Sequence, residues 1–141
     1  MLRVLDATLT TEAWNEKNKN NMTYCHPWGS APGFAAVNGI LGINPTSAGF
    51  ETFDVSLSTS GLNNISYTLP TVKGDISVSW KLNGNTQETS LVFPANTVGR
   101  VSVPATESAK VTLDGKKAEA VYENGAFVLT IGSGEHILTV G

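Results

Sequence analysis

The sequence predicts a mainly β fold, an antiparallel β-sandwich of about eight strands preceded by two helices. Three observations predict it. Apolar residues recur at helical spacing before Phe50 and at a period of two after it. Asp114-Gly115 and Asn124-Gly125 sit between alternating runs, and such dipeptides are the strongest short-range hairpin signals. Composition agrees with both. Charged residues are 15% of the 141, while 14 Gly and 6 Pro supply frequent turns; an average globular protein carries roughly 25% charge.

The elements follow in chain order. Leu2, Leu5 and Leu9, helped by Met1 and Val4, predict a first helix, which the polar run Asn15 to Asn21 breaks. A second helix starts at Ser30, a favourable N-cap, with Pro32 tolerated in its first turn. Phe34, Val37, Ile40 and Leu41 share one face of it, and Gly42 suits the left-handed residue that closes it. Asn44-Pro45-Thr46 leads out as a turn. Residues 1–49 are therefore read as two helices joined by a long polar loop, and residues 50–141 as the sandwich.

In the second part Phe53, Val55 and Leu57 alternate with polar residues, as do Ile65, Tyr67 and Leu69. Ile76, Val78, Trp80 and Leu82 alternate with Ser77, Ser79 and Lys81, which turns Ile76, Val78 and Trp80 inward and makes Trp80 a core residue. Further runs cover Leu91 to Phe93, Val101 to Val103, Val111 to Leu113, Ala118 to Tyr122, Phe127 to Ile131 and Ile137 to Val140. Asn83-Gly84-Asn85 and Gly132-Ser133-Gly134 punctuate them. Asp75 and Asp114 read as turn residues, where Asp makes local hydrogen bonds. His136 reads as a surface or capping residue at a strand start.

Charge and cysteine content exclude several classes. Nine Lys plus Arg stand against twelve Asp plus Glu, a net charge of −3. The basic residues are scattered, so no nucleic-acid partner is expected. No run approaches the ~20 apolar residues of a spanning helix, and no membrane partner is expected either. Asp6 interrupts the Met1-Leu2-Arg3 start before an apolar signal core forms, so no export signal is legible and the compartment stays open. Cys25 has no second cysteine to pair with. His26 and His136 are the other soft ligands, so neither a metal site nor a cofactor is expected.

Unusual chemistry crowds into the loop between the helices: Thr11-Glu12-Ala13-Trp14, then Tyr24-Cys25-His26-Pro27-Trp28-Gly29-Ser30-Ala31-Pro32. Aromatic faces stack on the apolar C–H patches of sugar rings, while carboxylate and imidazole hydrogen-bond to hydroxyls. A carboxylate such as Glu12 also activates water for attack at an anomeric carbon. The same composition equally describes Trp14 and Trp28 as half-buried anchors of a long loop.

The order and spacing of these motifs resemble the end of the catalytic barrel in bacterial α-L-rhamnosidases. The stretches that carry the resemblance are Thr10 to Trp14, His26 to Pro32, Leu41-Gly42-Ile43-Asn44-Pro45-Thr46 and Gly49-Phe50. Gly74-Asp75-Ile76 before Val78-Ser79-Trp80 extends it into the sandwich that follows the barrel in that family. The resemblance implies that the two helices are left over from an (α/α)6 barrel. It implies hydrolysis of terminal α-L-rhamnosides with inversion, by a carboxylic acid and a water-activating carboxylate ~6.5–9.5 Å apart. Glu12 matches the general-base position, His26 and Trp28 match a part of the barrel lip that contacts the sugar, and Trp14 would be a wall of the same pocket. The partner would be a rhamnose-containing carbohydrate.

The segment that carries the general acid in the family has no counterpart among these residues, nor does most of the barrel. A base without its acid and without a water-excluding pocket is expected to give essentially no turnover. Leu2, Leu5, Leu9, Phe34, Val37 and Ile40 would then face missing neighbours, which predicts self-association through residues 1–42. Two other readings compete: a free-standing carbohydrate-binding sandwich, and a plain structural module. The first needs exposed aromatics in a row on a sheet face. The second leaves the aromatic loop unexplained.

Overall fold

The computed structural model describes residues 26–59 and 61–141. The chain divides into two compact units at the Ala36–Val37 junction. The helix predicted from Leu2, Leu5 and Leu9 lies outside the described residues, as do Glu12, Trp14 and Cys25.

The described part of the first unit is helical. Pro27–Ser30 form a 3-10 turn, and the Gly29 N–H donates to the His26 carbonyl at 2.9 Å. Helix α1 follows over Ala31–Ala36, with Pro32 in its first turn as expected. Phe34 is exposed.

The second unit opens with a single π-type turn, Val37–Leu41, which the Gly42 N–H closes on the Val37 carbonyl at 3.0 Å. Gly42 has φ +59, the left-handed cap its position predicts. A side chain could not replace the hydrogen there, because a Cβ would lie 2.5 Å from the Ser56 carbonyl oxygen. That close approach seats Leu41 and Ile43 in the sandwich core, with Val37 packed against it. Val37, one of the residues expected to lack neighbours, is half-buried by this contact.

Among the described residues eleven strands form two sheets. The first holds, in spatial order, β1 (Asn44–Pro45), β2 (Thr52–Ser56), β6 (Val98–Pro104), β10 (Ala126–Ile131) and β9 (Val121–Glu123). The second holds β3 (Asn64–Thr71), β4 (Gly74–Asn83), β5 (Thr86–Phe93), β11 (Gly134–Val140), β7 (Val111–Leu113) and β8 (Lys116–Lys117). The β1 and β8 strands are two residues each, too short to leave a period in the sequence. The run expected at Ala118 to Tyr122 shortens to β9, and Asp75 falls inside β4 rather than in a turn.

One pairing departs from the antiparallel expectation. Strand β2 runs parallel to β6, with Val55 opposite Val101. Between them the chain crosses to the other sheet, runs through β3, β4 and β5, and crosses back. Parallel neighbours need such a long connection, whereas β3–β4 and β4–β5 close through two-residue loops. Asp114 (φ 53) with Gly115 (φ 75) and Asn124 (φ 51) with Gly125 (φ 81) have the positive angles of type I′ turns, as the sequence predicts. Gly132-Ser133 instead carries the chain from one sheet to the other.

The core fills the space between the sheets. Ile76, Val78 and Trp80 all point inward and are buried, as their alternation predicts. Phe53 of β2 meets Phe93 of β5 edge-on across the gap, centroids 4.8 Å apart. Gly99 makes room for this contact, since a Cβ on it would stand 2.5 Å from the Phe93 ring. The Trp80 Nε1–H donates to Gln87 Oε1 at 3.1 Å, and Gln87 Nε2 donates to the Pro104 carbonyl at 2.7 Å. That chain satisfies the indole and ties the two sheets together.

Candidate functional site

The sequence-predicted site residues fall in the first unit. His26 is half-buried and immediately precedes the 3-10 turn, whose backbone carries Trp28. The His26 carbonyl closes that turn, so the turn's geometry fixes the backbone at both positions. Proline at 27 presets the first turn residue, and Ala31-Pro32 continues directly into α1. Glu12 and Trp14 lie outside the described residues. Of the four candidates the structure thus places the backbone of two, on one short helical lead-in.

The sandwich offers three further groupings. The first is an open cleft of about 650 Å³ whose charged lining is Arg100, Lys117, Glu119 and Glu123, over a floor that includes Val128. Arg100 is ion-paired with Glu123. Its charges are opposed in sign and partly spent on each other, which favours no net-charged ligand. A second cleft, about 520 Å³, adjoins it across Lys117 and Ala118 and is lined mostly by small and aliphatic residues with Phe127. Sequence reasoning missed both hollows, because Ala118 to Ala120 were read as strand where the chain has no regular structure.

The third grouping is a carboxylate–imidazole pair. Asp114, in the β7–β8 turn, accepts a hydrogen bond from His136 Nδ1 at 2.9 Å through Oδ2. Its Oδ1 accepts the Ile137 N–H at 2.8 Å. These two bonds, the imidazole first, hold the Asp114 carboxyl below the usual carboxylate range. A base that acts on substrate needs a free ring nitrogen in reach of it. His136 Nε2 is buried with no hydrogen-bond partner, so this pair ties a turn to a strand. Of the two readings, surface or capping residue, the second is the nearer: His136 is half-buried and bonded to the turn. No group of three or more His, Cys, Asp or Glu side chains that could hold a metal ion occurs among the described residues. Among the described residues no helix is long and apolar enough to cross a membrane.

A sugar-stacking platform would need aromatic rings on an outer sheet face. Among the described residues Trp80, Phe53, Phe93 and Phe127 are buried between the sheets, and Tyr67, partly exposed on the β3 edge strand, has no second exposed ring beside it to make a row. Tyr122 packs on Phe127 at 5.1 Å, and its hydroxyl donates to the Ala105 carbonyl at 3.2 Å.

The described residues thus define a two-sheet β-sandwich preceded in the chain by a short helical segment. The family model described as the bacterial alpha-L-rhamnosidase C-terminal domain matches residues 42–118, more than half of the chain. The chain belongs to that family. An alpha-L-rhamnosidase of Formosa agariphila is 29% identical over 76 residues, which are 53% of this chain and 8% of that protein. The crystal structure of Streptomyces avermitilis alpha-L-rhamnosidase complexed with L-rhamnose superposes on 99% of this chain and 14% of its own, with a TM-score of 0.76 and 22% identity. The alpha-L-rhamnosidase of Dictyoglumus thermophilum gives the same score at 19% identity, over 99% of this chain and 17% of its own. This chain spans only a small fraction of the relatives it matches.

Proposed function

We propose that this chain is the C-terminal portion of a glycoside hydrolase that removes terminal α-L-rhamnose from glycosides or polysaccharides. The N-terminal helical segment is the end of its catalytic barrel, and the sandwich that follows braces it. The family match over residues 42–118 carries the reading. In the intact enzyme Glu12 serves as general base, taking a proton from the water that attacks the anomeric carbon. Trp14 and Trp28 form walls against the sugar ring, and His26 hydrogen-bonds to its hydroxyls. The acid that protonates the leaving oxygen comes from a segment outside these residues, so this chain alone turns nothing over.

The alternative of a free-standing carbohydrate-binding sandwich finds less support, because the described outer faces hold no exposed aromatic row. Two assays test the proposal with an aryl α-L-rhamnoside. The isolated chain is expected to release no product. In a protein with the catalytic barrel restored, Glu12→Gln is expected to lower kcat by about 10²–10⁴-fold, the range of a lost general base. A variant at normal rates would remove Glu12 from that role.

A further inference from the structure

The lateral edges of the two sheets are not alike. Strand β1 is two residues long and contains Pro45, β8 is a pair of lysines, and β9 is three residues ending in Glu123. Short length, proline and charge each oppose the addition of another strand. Strand β3 lies at the remaining edge. It is eight residues long, Asn64–Thr71, and none of them is charged.

The register shows which backbone groups of β3 face away from the sheet. The Leu82 N–H donates to the Asn63 carbonyl at 2.8 Å, which makes these two a hydrogen-bonded pair one step beyond Asn64 and Lys81. Hydrogen-bonded and non-hydrogen-bonded pairs alternate along an antiparallel ladder. Ile65, Tyr67, Leu69 and Thr71 therefore direct their amides and carbonyls to β4. Those of Asn64, Ser66 and Thr68 point outward, together with the Pro70 carbonyl. Proline falls in the outward set, where a missing N–H costs the ladder nothing. All four outward residues are exposed. On the inward side Ile65 and Leu69 are half-buried and Tyr67 remains 39% exposed.

We propose that β3 pairs with β3 of a second copy of this chain, antiparallel, about a two-fold axis at Tyr67. In that register the N–H groups of Asn64, Ser66 and Thr68 meet the carbonyls of the partner subunit's Pro70, the partner subunit's Thr68 and the partner subunit's Ser66. Every outward donor is used from both sides. On the inward side Tyr67 meets the partner subunit's Tyr67, and Ile65 meets the partner subunit's Leu69, so each half-covered apolar residue gains a neighbour. Moving the axis to Thr68 would carry Asn64 past the end of the partner strand. Moving it to Ser66 would set Leu69 against a polar Asn63. A slip by one residue would set the outward amides against groups already used by β4. The contact is isologous, and the blunted remaining edges stop the assembly at two copies.

Sedimentation of the full chain over a range of concentrations is expected to show a monomer–dimer equilibrium. Ser66→Pro removes only an outward N–H, and Thr68→Lys adds a charge to the same edge. Both are expected to abolish the dimer while leaving the urea midpoint close to that of the parent chain. In a Cys25→Ser background, Tyr67→Cys places the two thiols on the axis. Non-hydrogen-bonded pairs bring Cα atoms to about 4.5 Å, within disulfide reach. Oxidation is expected to yield a covalent dimer, whereas Ser79→Cys, on the outer face of β4, is not. A chain that stays monomeric at high concentration overturns the proposal. So does a dimer that survives both edge variants and leaves Tyr67→Cys uncrosslinked; that result would place association elsewhere, such as residues 1–42.

Discussion

Trp80 and Thr89 face each other across the β4–β5 ladder, and both are buried in the core. Their polar atoms fare differently. The Trp80 indole N–H has its acceptor in Gln87, while the Thr89 hydroxyl has no hydrogen-bond partner. Trp80→Ala is expected to cost ~3–5 kcal/mol in a urea titration, the range of large aromatic truncations in cores. A cost under about 1 kcal/mol would contradict its burial, since surface substitutions fall in that range. Thr89→Val keeps the shape and removes the unpaired hydroxyl, whose burial costs about 1–3 kcal/mol. The same titration is expected to show the valine variant more stable by ~1 kcal/mol. Alternation in the sequence was enough to turn Ile76, Val78 and Trp80 inward. It could not tell that Thr89 is a core residue, because threonine suits either face of a strand and its hydroxyl argues for the outer one.

At the scale of elements, the β7–β8 turn shows how one side chain joins three strands. Asp114 takes the left-handed angle that Asp-Gly turns require and also receives bonds from His136 and Ile137 of β11. Its carboxyl titrates below the ordinary range in the folded state. Such a group contributes stability that is fully present above the unfolded value, near 3.9, and is lost as pH falls through the folded value. Asp114→Asn keeps the turn geometry, since Asn also tolerates the left-handed region. The parent chain is therefore expected to be more stable than the variant at neutral pH. The difference should shrink as pH drops below about 4. A difference that stayed constant with pH in parallel urea titrations would show that ionisation is not its source. Turns of this kind were legible because Asp-Gly and Asn-Gly are chemically specific. The β1 and β8 strands were not, since two residues have no period, and the place of Asp75 inside β4 depended on where its hairpin closed.

For the whole molecule, periodicity reports which face a strand buries but not which strand lies beside it. The sandwich was therefore legible while the parallel β2–β6 pair was not. The candidate site was legible only through the spacing of Glu12, Trp14, His26 and Trp28, a pattern that a single chain leaves open to a purely structural reading. Full-length kinetics on Glu12→Gln test its catalytic half, and a rhamnoside assay of the isolated chain tests the proposed dependence on an acid from elsewhere. The β2–β6 pair also has a consequence in time. On the ribosome β2 emerges before β3, β4 and β5, yet the neighbour that fixes it in the sheet is synthesised after all of them. Until β6 appears, β2 lacks its long neighbour and is held by β1 and by the bonds of Gly42, Thr46 and Ser47 that flank it. The β3–β4–β5 meander can form meanwhile, because its hairpins close locally. Released chains truncated before Val98 should thus protect the amides of β4 from exchange more than those of β2, so that synthesis of the second half of the domain completes the first.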